Sequence, residues 1–114
     1  MLYELALSMQ LPIVLMYWSI MAPDAPSFWD ISDHGVWMLF IVIDFYFNNI
    51  KLQKNHGKFM GVVIVICLAI NCIVSLADEP VYKVITYKNV MSYIYIAVLV
   101  GMVYGNFFFC IWLQ

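Results

Sequence analysis

The chain has 114 residues, enough for one domain, and it is 66% hydrophobic with only 11% charged residues, whereas soluble domains average roughly 45–50% apolar and about 25% charged. A mean hydropathy of +0.93 excludes both disorder and a water-soluble globule. The net charge of -2, without any arginine, excludes a nucleic-acid module, which needs a basic face. The solvent that remains is the bilayer, where only helices and closed barrels satisfy every backbone group.

Barrel strands alternate polar and apolar residues, while this sequence has long unbroken apolar runs separated by short polar breaks. The expected fold is therefore all-α, a single domain of four transmembrane helices over about 3–22, 34–50, 59–77 and 90–113. The first ends at Pro23, Asp24 and Pro26, because proline cannot continue a helix and an acid resists hydrocarbon. The second follows Asp30, Ser32 and Asp33, any of which is able to cap it. The third is closed by Asp78, Glu79 and Pro80, and the fourth runs to the end of the chain. Each approaches the length that a hydrocarbon core of about 30 Å requires at about 1.5 Å per residue. The first lacks the basic start of a signal peptide and is as long as the others, so it reads as a true span.

Lysine-rich short loops stay on the cytoplasmic or matrix side of a membrane. Lys51, Lys54 and Lys58 lie between helices two and three without an acid, and Asp24, Asp30 and Asp33 lie between helices one and two without a lysine. Both termini are thus expected on the side of the 51–58 loop. Trp18, Trp29, Trp37, Trp112, Tyr82 and Tyr87 fall near helix ends, where amphipathic rings favour the headgroup layer.

Polar groups inside a membrane need a partner or a role. Asp44 is the strongest candidate: Asn48 at i+4 and Lys51 at i+7 share its face, and a structural pairing is the favoured reading. His34 opens the same helix and is the one weak candidate for catalysis, about 15 Å along the axis from Asp44. His56 sits among lysines and reads as loop surface. Two distant histidines fall short of a metal site, so no metal is expected. Cys67, Cys72 and Cys110 lie in apolar runs and read as reduced, buried small hydrophobes. Ala97, Gly101 and Gly105 recur every four residues, a series that lets another helix approach closely. With Asn71 and Asn106 it is expected to serve the bundle's own packing, the alternative being a face for a partner chain. Serines are scattered, Thr86 is a loop residue, and no phosphate-cradling glycine loop occurs.

Asp33-His34-Gly35, followed ten residues after His34 by Asp44, resembles the androgen-induced membrane protein family and its relative, the rolling stone family. The stretch Pro80-Val81-Tyr82-Lys83-Val84-Ile85-Thr86-Tyr87 is similar to a Pro-Val-Tyr stretch of those families after the next helix. The resemblance covers about residues 30–90. It implies the last four helices of a six-helix fold. Some members hydrolyse fatty acid esters of hydroxy fatty acids through a threonine and a histidine; His34 corresponds to the histidine, and the threonine's helix has no counterpart here.

The favoured expectation is a small non-catalytic subunit of a larger membrane assembly. Its partners are membrane lipids and other membrane subunits, and a bound phospholipid is the only cofactor considered. Richness in Ile, Asn, Lys, Phe and Tyr favours a mitochondrial inner-membrane complex, with endoplasmic reticulum or plasma membrane as alternatives. The competing expectation is a membrane lipid hydrolase with His34 as base.

Overall fold

A computed structural model describes residues 1–80 and 82–114; Val81, within the 80–87 stretch, lies outside the described residues. Its elements are α1 (Leu2–Met16), which continues as a π-helical turn (Tyr17–Met21), α2 (Phe28–Ile31), a second π-helical turn (Ser32–Val36), α3 (Trp37–Phe47), α4 (His56–Ala77) and α5 (Val90–Leu113). Among the described residues there is no strand, only an isolated bridge between Tyr82 and Ile85. Among the described residues three helices are long and apolar enough to cross a membrane: Leu2–Met21, His56–Ala77 and Val90–Leu113. The second rod is continuous over 28–47, but it carries Asp30, Asp33 and Asp44.

The second rod differs most from expectation. It starts six residues early because Ser27 forms a capping box with Asp30: the Ser27 hydroxyl accepts the Asp30 N–H while Asp30 accepts the Ser27 N–H. It ends early, at Phe47, because Asn48 is extended and its side-chain oxygen accepts the Ile50 N–H, a local bond that competes with the helix. Helix α4 begins at His56 rather than 59, and α5 matches its expected limits. Asn89 caps α5 by accepting the Ser92 N–H.

Helices α1 and α5 form the central pair. On one side α4 packs into their groove around Met60, Ile64, Val103 and Phe107, joined by Leu5 and Met9. On the other, α3 covers Leu7, Leu52 and Cys110 with Ile41 and Phe45. The contact between α4 and α5 depends on small residues. A Cβ on Gly61 would lie 2.6 Å from the Tyr104 hydroxyl, which donates to the Gly57 carbonyl at 3.1 Å, and a Cβ on Gly57 would touch Phe107.

Pro12 lies inside α1 and supplies no N–H for the Ser8 carbonyl one turn earlier. Asn106 on α5 fills that gap, its side-chain amide donating to the carbonyls of Leu7 at 3.0 Å and Ser8 at 3.3 Å. A freed carbonyl in hydrocarbon is costly, and a neighbouring helix that satisfies it is what makes a membrane proline tolerable. Asn106→Leu is expected to destabilise the bundle by about 1–2 kcal/mol. Thermal unfolding in detergent measures this, and an unchanged midpoint would refute the role given to Asn106.

Candidate functional site

Polar chemistry concentrates at the two ends of the bundle, with an apolar cavity between them. At one end Glu4, the only buried charged residue among the described residues at 3% exposure, accepts the Gln53 N–H at 2.8 Å and a bond from His56 Nδ1. Gln114 accepts the Leu52 N–H at 2.8 Å and donates to the Ile50 carbonyl at 2.9 Å. These bonds clamp the irregular segment 48–55 against α1 and α5, with Leu52 buried beneath it. His56 is therefore not loose loop surface: it opens α4 and is tied to Glu4. In the sequence Glu4 reads as solvated, an acid at the edge of an apolar run, and carries no signal of its burial.

At the other end the two π turns face each other. The rings of Tyr17 and His34 stack with centroids 3.8 Å apart and planes 17° apart, and Trp18 Nε1 donates to the His34 carbonyl at 2.9 Å. The Tyr17 hydroxyl donates to Asp30, which also accepts from the Ser27 hydroxyl at 2.6 Å. His34 Nδ1 is buried without a hydrogen-bond partner among the described residues. A π turn admits one extra residue per turn and re-aims side chains, a feature frequent at functional sites; here it brings Tyr17 over His34. Nothing in the apolar pattern of the sequence marks either turn.

Ser27→Ala removes the hydroxyl that accepts the Asp30 N–H and donates to the Asp30 carboxylate, and it is expected to fray the start of the second rod, visible as loss of amide-exchange protection over 28–36. Unchanged protection would refute the cap. At the same end burial pushes the Tyr87 phenol up; its hydroxyl donates to Asn71 Oδ1 at 2.9 Å, and the Leu68 carbonyl lies 3.3 Å away.

The cavity, about 170 Å³, lies among α1, α4, α5 and the 82–85 turn. Its wall includes Met9, Met16, Cys67 and Val103, with Asn71 and Tyr82 as the polar side chains.

The remaining residues singled out from the sequence fall as follows. Asp44 is exposed and accepts from Asn48 Nδ2 at 3.1 Å; among the described residues it forms no ion pair with Lys51 or another cation. Asn71 links α4 to Tyr87, and Asn106 links α5 to α1. Ala97, Gly101 and Gly105 are exposed, and a Cβ at either glycine meets nothing within 4 Å. Their expected role in internal packing is corrected: the chain's own close helix approach uses Gly57 and Gly61 on α4. All three cysteines are free, but only Cys110 is buried; Cys67 is exposed. No group of three or more His, Cys, Asp or Glu residues arranged to hold a metal occurs among the described residues. Compared with protein-family models, curated proteins and solved structures, the chain finds no match.

Proposed function

We propose that this chain is a non-catalytic integral membrane subunit that packs within a larger membrane assembly through the outer face of α5. One observation carries the reading: Ala97, Gly101 and Gly105 form a flat small-residue track with open space before it, while the bundle makes its internal contacts elsewhere. Such tracks let a second helix approach backbone to backbone, which is how helices associate when lipid removes the hydrophobic driving force. The second rod completes a four-crossing bundle, its 20 residues over 28–47 being long enough to span with its acids at the ends. Both termini then share the side of loop 51–58, supported by the bonds of Glu4 and Gln114 to segment 48–55. Composition favours the mitochondrial inner membrane.

The hydrolase reading, tied to the androgen-induced family by His34 and the 80–87 stretch, is the weaker proposal. It needs a nucleophilic hydroxyl within about 2.6–3.2 Å of the base. The ring of His34 instead lies against Tyr17, and Ser27 is engaged by Asp30.

Native size after mild detergent extraction, with mass spectrometry of co-migrating chains, tests the subunit role. A large assembly that loses this chain on Gly101→Leu is the expected result. A small particle of this chain alone, whose fatty-acid ester hydrolysis disappears with His34→Ala, would overturn it.

A further inference from the structure

We infer that the surface of segment 48–58 is a binding site for anionic phospholipid headgroups, formed by Lys51, Lys54 and Lys58. The inference rests on the membrane reading above and adds a ligand to it. All three lysines are exposed, and none is in an ion pair among the described residues. Glu4 does not neutralise them, because it is buried and its carboxylate is taken up by the Gln53 N–H, His56 and the N-terminal amine, and Asp44, one turn before the segment, is bonded to Asn48 and pairs with none of them among the described residues. The first turn of α4 adds no acid either. The segment thus carries three positive charges, none of them in an ion pair among the described residues.

The segment is also held rigidly. Its Ile50 carbonyl and its Leu52 and Gln53 N–H groups are bonded to Gln114 and Glu4, and Leu52 is buried. With Leu52 turned inward, Lys51, Lys54 and Lys58 are the charged groups that the segment presents outward. The opposite end of the bundle has the contrary balance, with Asp24, Asp30, Asp33, Asp78 and Glu79 against Lys83 and Lys88. Trp112, 77% exposed, lies two residues before Gln114 and so beside the lysine end, at the depth where an aromatic ring sits among headgroups. Phosphodiester groups in the adjoining leaflet are the complementary partner: fixed lysines at an anionic surface attract them over about a Debye length.

The test places the full chain in bilayer discs of phosphatidylcholine doped with phosphatidylglycerol and counts, by native mass spectrometry, the lipids retained on release. Wild type is expected to retain phosphatidylglycerol in preference to phosphatidylcholine, and each lysine changed to glutamine to lower that preference roughly fivefold. Lys83→Gln with Lys88→Gln, at the opposite end, is expected to leave it unchanged. Equal retention by wild type and the Lys51→Gln/Lys54→Gln/Lys58→Gln variant would overturn the inference, as would displacement of the lipid by millimolar inorganic phosphate, which would point to a free-anion site. A chain that resists alkaline carbonate extraction yet shows no lipid preference overturns this inference alone; a chain that is extracted overturns the membrane reading and this inference with it.

Discussion

Replacing Glu4 with alanine is expected to lower stability in detergent by about 2 kcal/mol, since it orphans two partly exposed donors at about 1 kcal/mol each, the low end of the cost of an unpaired group. Those donors are the Gln53 N–H and His56 Nδ1, and they hold segment 48–55 to the start of α1. Glu4→Gln keeps an acceptor for the Gln53 N–H and is expected to lose less than half as much. Thermal unfolding compares the variants, and limited proteolysis reports the segment itself, which should become cleavable near Lys51 and Lys54 before the bundle unfolds. A Glu4→Ala protein that melts with wild type and resists protease would remove Glu4 from its role as the latch.

The second large effect is a contrast between two glycines that look alike in sequence. Gly61→Leu forces a side chain into the space held by the Tyr104 hydroxyl, 2.6 Å from where the first added carbon would sit. It is expected to destabilise the isolated chain by about 1–3 kcal/mol through overpacking, with loss of the Tyr104 bond to the Gly57 carbonyl. Gly101→Leu meets open space, and replacing glycine in a helix interior gains up to about 1 kcal/mol. The isolated Gly101→Leu chain should therefore melt at or slightly above wild type while losing its place in the assembly. Measuring melting and co-purification together separates the two sites. If Gly101→Leu melted early, the α5 track would belong to the chain's own packing; if it stayed with its partners, the track would face only lipid.

The functional candidates were legible to different degrees for a physical reason. Asn106 attracted notice as an intramembrane amide, but its purpose depends on Pro12, ninety-four positions away in sequence and adjacent only once α1 and α5 pack. Asp44 looked the more demanding acid because it lies deep in an apolar run, yet it is exposed and bonded within its own turn to Asn48. Glu4 looked ordinary and is the buried one. A sequence reports how apolar the neighbours along the chain are, whereas the burial of a charge depends on neighbours brought in by other helices.

The amino-acid sequence by itself determined that this chain is helical and suited to a membrane, and nearly where α4 and α5 begin and end. Those properties are sums over adjacent residues: apolar run length, proline and acid at the breaks, and a rise of about 1.5 Å per residue. Tertiary structure decided which faces turn inward. Helices that are apolar all round carry no stripe to mark a buried side, so the sequence singles out Gly101 by its four-residue series and gives Gly61 no role, and only the packing of α4 against α5 shows which glycine meets a neighbour. It also decided that the π turns set Tyr17 over His34, that Asn106 satisfies the carbonyls around Pro12, and that Glu4 and Gln114 hold the lysine segment in place. Each of those contacts joins residues far apart in sequence, and the bonds of Asn106, Glu4 and Gln114 satisfy polar groups that are costly to bury unpaired.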